Sequence, residues 1–156
     1  MSVYEKVSPF TYDNGYRLAG SYSGGKVIQT YGGGICQVSS TLFAAVLYAD
    51  LEIVQRTNHS LTVGYLPLGM DAAVSWGTLD FRFRNNTDYP IRLSVTYEKG
   101  NIDVEILGTK ETNTTVEITT EELDPLTVKT FRSHYDSAGN LLDTQQVAYS
   151  KYQGVH

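Results

Sequence analysis

"CQVSSTLFAAVLYAD", residues 36–50, limits the fold most sharply. Val38, Leu42, Ala45, Val46 and Ala49 fall at helical spacing, and no Gly or Pro lies between Cys36 and Asp50. This is the one convincing helix in the chain. Three glycines, Gly32, Gly33 and Gly34, stand directly before Ile35 and Cys36, so the helix starts at or next to Cys36 out of permissive backbone.

The remainder reads as strands. "LEIVQRTNHSLTVGYL" is rich in β-branched residues, and "TLDFRFRN" alternates Leu79, Phe81 and Phe83 against Asp80, Arg82 and Arg84. "YPIRLSVTYEKGNIDVEILG" reads as a hairpin around Lys99, Gly100 and Asn101. "LTVKTFRSHYD" and "LLDTQQVAYSKY" flank the turn "SAGN", and "TKETNTTVEITTEELDP" reads as a strand with a loop before Pro125. The first 35 residues carry turn signals at "YDNGY" and "YSGGK", with only "KVIQTY" strand-like. The expected class is α+β: one main buried helix starting at the Cys, packed on a largely antiparallel β-sheet, with C-terminal β-hairpins.

Composition narrows the function. A chain of 156 residues, with 19% charged residues, 12 Tyr and 14 Gly, has enough apolar and aromatic material for a core and excludes disorder. A net charge of −5 argues against nucleic acid as a partner, since phosphate recognition needs a basic face. One cysteine excludes an internal disulfide, and no Cys/His cluster has zinc-ligand spacing, so neither metal nor cofactor is expected. No apolar stretch approaches the roughly 18–20 residues of a membrane span, and the N-terminus has no signal-peptide core. The start, "MSVYEKVSPFTYDNGYR", reads as if cut into a longer protein.

Cys36 then has two readings. A thiol in the first turn of a helix meets free backbone N–H groups and the positive end of the dipole, which favour its thiolate. Glycines before it admit a substrate backbone, and the loop's amides suit an oxyanion. Against this, free Cys is often a buried packing residue. Local sequence leaves the two level. A nucleophile needs a base. His156 is terminal and His134 lies beside a hairpin turn, which leaves His59 by elimination. Asp71 and Asp80 are the candidates to orient its ring, with Asn58 third, and either aspartate could instead hold a turn. Arg56 is a candidate for a substrate carboxylate. Arg82 and Arg84 read as the solvated face of a strand, while Trp76, Tyr65 and Tyr31 either line a cleft or fill the core.

The strings "GGGICQVSSTL" and "NHSLTVGYLPLGMDAAV", within a block from Gly32 to about Leu93, resemble the VanW-like domain of bacterial cell-envelope proteins. Weaker similarity runs back to "NGYRLA" and on through "VEILG"; "KVSPFTYDNGY" stands where family members have a longer extended segment. The resemblance implies a VanW-like domain over 1–110, core 32–93, with a C-terminal β extension over 111–156 packed on it. It further implies an exported or membrane-anchored protein at the extracellular face of a Gram-positive envelope, attached only through an anchor absent from this chain. Some family members are described as L,D-transpeptidases of peptidoglycan. Carried over, the nucleophile is Cys36 and its histidine His59, with peptidoglycan stem peptides as partners. The oxyanion then lies on amides of Gly34 to Gln37, with Gly33, Ser39, Arg56 and Tyr65 as further substrate contacts. A non-catalytic stem-binding module and a cysteine peptidase on the same polymer are the alternatives.

Overall fold

Two helices occur in the computed structural model, which describes residues 1–23 and 26–154: α1 (Val3–Val7) and α2 (Ile35–Tyr48). The long helix starts one residue before Cys36, as its apolar spacing predicts, and Leu42, Phe43, Val46 and Leu47 bury its inner face. Each such side chain removed from water contributes about 1.5–3 kcal/mol. The short α1 has no apolar periodicity to announce it. Ser2 caps it through Glu5 N–H, and Asp80 accepts from Ser2 Oγ at 2.6 Å and from the Tyr4 N–H at 2.9 Å.

The strands form antiparallel ribbons rather than one continuous sheet. β1 (Leu18–Ser23) pairs with β2 (Lys26–Tyr31), and β3 (Glu52–Gln55) with β4 (Arg82–Arg84). β5 (Arg92–Glu98) pairs with β6 (Asn101–Leu107) through the two-residue turn Lys99-Gly100, whose φ values of 50° and 89° suit a hairpin of that length. β7 (Thr115–Asp124), β8 (Thr127–Tyr135) and β9 (Leu141–Lys151) make a three-stranded sheet in sequence order. The turn expected at "YSGGK" centres on Gly24 and Gly25, which lie outside the described residues, as does His156.

Two readings change here. Residues 57–69 form an irregular loop and not a continuation of the strand, because Gly64, Pro67 and Gly69 interrupt it and its backbone bonds go elsewhere. Ala73 N–H donates to Thr57 O at 2.8 Å, and Gln153 N–H to Ser60 O at 2.7 Å. His134, expected to be exposed beside its hairpin turn, is held instead: Asp50 and Asp143 grip its ring at 2.9 and 2.5 Å, and only 14% of its side chain is accessible. Hydrogen bonding to Asp50 outweighs partial burial and holds its basicity above that of a free histidine. Thus the end of α2 is tied to β8 and β9.

The core is shared between the helix and its surroundings. Phe81 stands edge-on to Phe43, with ring centroids 5.5 Å apart, and stacks on Phe83. The segment Met70–Val74 is buried throughout and lies along the first half of α2. Small hydroxyls allow that approach: Ser39 Oγ donates to Ala72 O, and Ala72 N–H donates to Ser40 Oγ at 3.0 Å. The glycines before the helix differ from one another. Gly32 has φ +77°, whereas a Cβ on Gly33 would stand 2.5 Å from Ala19 O and 2.7 Å from Gly20 O on β1. A Cβ on Gly34 would meet nothing within 4 Å. Gly33→Ala should therefore destabilise the fold by about 1–3 kcal/mol through overpacking. Gly34→Ala should cost less than about 1 kcal/mol, the difference between the two residues as a cap. Urea midpoints at unchanged slope check both.

Candidate active site

Cys36 occupies the second position of α2, behind the Gly34 N-cap, which makes no side-chain capping bond. Its thiol is half-buried and donates to Val74 O at 3.3 Å. The loop after β3 brings His59 alongside. Asp71, 1% exposed, stands behind the histidine: its Oδ2 accepts the His59 backbone N–H and meets His59 Nδ1, each at 2.7 Å. Sulfur, imidazole and carboxylate thus form one line from cleft to interior.

The electrostatics follow from that line. Burial pushes the Cys36 thiol up, but hydrogen bonding to His59, the contact with the Val74 backbone and the charge of the ring together outweigh it and leave the thiol below its ordinary value. Burial likewise disfavours charged His59, yet the Asp71 carboxylate and then the Cys36 sulfur raise it to about 9. Burial opposes ionised Asp71 too, and the two His59 bonds, Tyr152 and Arg56 together hold it below the ordinary carboxylate range. The one contact between sulfur and ring thus draws the thiol's titration down and the imidazole's up, with the ionised carboxylate behind them.

A cleft of about 600 Å³ opens onto the sulfur. Cys36, Gln37 and His59 line it together with Gly33 and Gly34, the backbone edge of β1, Tyr65 from the loop, and Lys151 and Gln153 from the end of the chain. Among the described residues no group of three His, Cys, Asp or Glu could hold a metal ion.

The structure thus unites Cys36, His59, Asp71, Gly33, Gly34, Gln37 and Tyr65 and gives four other candidates different work. Asp80 binds Ser2, Tyr4 and Arg82 at the base of α1, away from the imidazole; its role is to hold that helix. Arg56 cannot meet a substrate carboxylate. Its side chain is 5% exposed, bonded to Asp71 and to Ser150 Oγ, and lies 5.0 Å over the Phe43 ring. Ser39 is fully buried and spends its hydroxyl on Ala72 and Cys36 carbonyls. Asn58 bonds the His59 and Lys151 carbonyls and leaves the ring alone. Arg82 and Arg84 face solvent as expected, whereas Trp76, Tyr31 and Tyr65 stand exposed, outside the core. The residue that sequence reasoning missed is Tyr152, whose hydroxyl donates to Asp71 Oδ1 at 2.5 Å. No local pattern in "SKYQ" marks it.

Residues 1–107 match the family described as VanW like protein, so the chain belongs to the VanW-like family. It is 53% identical over 81 residues to a Bacillus subtilis (strain 168) protein bearing the name "Uncharacterized protein YoaR", covering 52% of this chain and 27% of that protein. It is 32% identical over 104 residues to the vancomycin B-type resistance protein VanW of Enterococcus faecalis (strain ATCC 700802 / V583), covering 64% of this chain and 38% of that one. The matches therefore span well under half of either relative's length. No solved structure matches the chain.

Two outcomes test this geometry. Asp71→Asn should slow Cys36 alkylation by iodoacetamide at neutral pH about tenfold, the effect of about one unit in the thiol titration. Asp80→Asn should leave that rate unchanged. The second outcome concerns pH. His59 has a folded value of about 9, above 6.5, so its stabilisation is complete below about 6.5 and lost as pH rises through about 9. Lowered Cys36 acts oppositely: its stabilisation is present above the ordinary thiol value of 9.0 and lost as pH falls. Between these limits the two slopes oppose one another. Cys36→Ala removes the opposing thiol slope and also the sulfur that helps raise His59, so the variant's Tm should fall more steeply than that of the native protein as pH rises above about 6.5 and level off before pH 9. Thermal unfolding across that range checks it.

Proposed function

We propose that this domain is a cysteine acyltransferase of the L,D-transpeptidase type, acting on peptidoglycan stem peptides at the extracellular face of the cell envelope. The observation that carries the reading is the Cys36–His59–Asp71 line at the mouth of an open cleft, with the sulfur at the N-terminus of α2. Membership of the VanW-like family supports the same assignment.

In this reading Cys36 thiolate attacks the carbonyl carbon at the L-centre of the third stem residue. The oxyanion that forms faces the N-terminus of α2. Amides of Ile35 and Gln37 are already bonded to Gly32 O and Gly34 O, at 3.0 and 3.2 Å, so the donors are the amides of Gly34 and Cys36. When the carbon–nitrogen bond breaks, the terminal D-Ala leaves as an amine with the proton carried by His59. The side-chain amine of a neighbouring stem then attacks the thioester and gives a proton to His59, and Cys36 leaves as thiolate. Asp71 stays ionised throughout and keeps the ring turned toward the sulfur. Water in place of the amine gives hydrolysis.

A second reading, a binding module that holds a stem without reacting, draws on the half-buried thiol and its bond to Val74 O. Incubating the protein with tetrapeptide muropeptides should release D-Ala and give cross-linked dimers by mass, with both products absent in Cys36→Ala. Products that persist in the variant would sink the role of Cys36. Stem binding without turnover by the native protein would establish the binding module, and monomeric products alone would make it a peptidase.

A further inference from the structure

The family match ends at residue 107, yet the site does not. Beyond it, β9 runs to Lys151, and the next residue, Tyr152, is 4% exposed with its hydroxyl buried behind Asp71. That hydroxyl donates to Asp71 Oδ1 and accepts the Gly69 N–H at 2.9 Å. It therefore joins the carboxylate to the backbone just before it. Ser150, on the same strand, accepts from Arg56 Nη1 at 2.8 Å, and Arg56 Nη2 reaches Asp71 Oδ1 at 3.2 Å. Gln153 N–H fastens Ser60 O, one residue past His59, while Asn58 Nδ2 donates to Lys151 O. Four consecutive residues, 150–153, thus contact the elements that hold His59 and Asp71.

We propose that Tyr152 is a positioning residue for the Cys36–His59–Asp71 line, so that the C-terminal sheet completes a site whose reacting groups all lie in the VanW-like segment. The proposal rests on the reading of that line as a working unit. The reason is geometric. A carboxylate has two oxygens; Asp71 uses Oδ2 for both His59 contacts and Oδ1 for Tyr152 and Arg56. The phenol fixes the rotation of the carboxylate about its own axis. Without it, Oδ1 keeps only the longer contact to Arg56, and the group is free to turn toward the guanidinium and draw Oδ2 off the imidazole. The His59 ring then loses the partner that aims its other nitrogen at the sulfur.

The test follows Cys36 alkylation by iodoacetamide against pH in the full chain, which needs no substrate. The native protein should show a thiol inflection below the ordinary value of 9.0. Tyr152→Phe should move the inflection upward and cut the rate at neutral pH about threefold to tenfold, while Ser150→Ala, which leaves the phenol in place, should not. A native inflection at the ordinary thiol value would overturn the working unit itself. A lowered native inflection that Tyr152→Phe leaves in place would overturn only the role of Tyr152, as would equal shifts in Tyr152→Phe and Ser150→Ala. Should Tyr152→Phe fail to fold, the native protein labelled with ¹³Cζ-tyrosine decides. Its Tyr152 signal should step at the pH where His59 titrates, near 9, and a flat Tyr152 signal there would overturn the proposal.

Discussion

A buried carboxylate organises this domain. Asp71 is almost inaccessible, and an ionised group in such surroundings is tolerated only when charges and donors enclose it. Here they come from two stretches of chain: His59 and Arg56 from the segment after β3, and Tyr152 just past the end of β9. The demand is mutual. Arg56 is equally buried and would be a stranded cation without Asp71, Ser150 and the face of Phe43. Breaking such a pair by removing one partner costs about 3–5 kcal/mol, because the other charge is left alone. Folding is thus compelled to bring residue 152 against residue 71, and the same contacts orient the histidine.

That arrangement also decides how charge is shared along the line. Asp71 and a Cys36 thiolate are two anions; Arg56 and protonated His59 are two cations. A proton passed from sulfur to imidazole therefore leaves the local sum at zero, with the helix N-terminus favouring the anion at its end of the line. Arg56 makes this possible without touching the cleft. Together with the two His59 bonds and the Tyr152 hydroxyl it holds Asp71 ionised, so that His59 faces a negative charge. An arginine that seems from sequence to be a substrate contact is thus a counter-ion one layer further in.

The legible parts of the sequence were those written in local pattern. The spacing of Val38, Leu42 and Val46 located α2, and Lys99-Gly100 located a hairpin, because helix faces and two-residue turns depend on neighbours within a few positions. Cys36 and His59 were legible by scarcity. The choice between Asp71 and Asp80 was not, since both sit in short segments beside buried apolar residues and only the path of the chain separates them. Arg56 and Ser39 were misread for the same reason: their partners, Ser150 and Ala72, are 94 and 33 residues away. Tyr152 carried no signal at all.

The three glycines separate packing from chemistry. Gly32 turns through a positive φ, and Gly33 passes so close to β1 that any side chain would strike Ala19 O, so steric needs account for both. Neither need involves the sulfur. Gly34 is different: its φ of −81° suits any residue, and a Cβ there would meet open space. What glycine provides at that position is a bare backbone beside Cys36, on the side where the cleft opens. A run of three that reads as a single motif is two structural residues followed by one whose lack of a side chain matters only to something entering the cleft. That third glycine is the part of the motif that packing leaves unexplained and that the proposed acyl transfer would use.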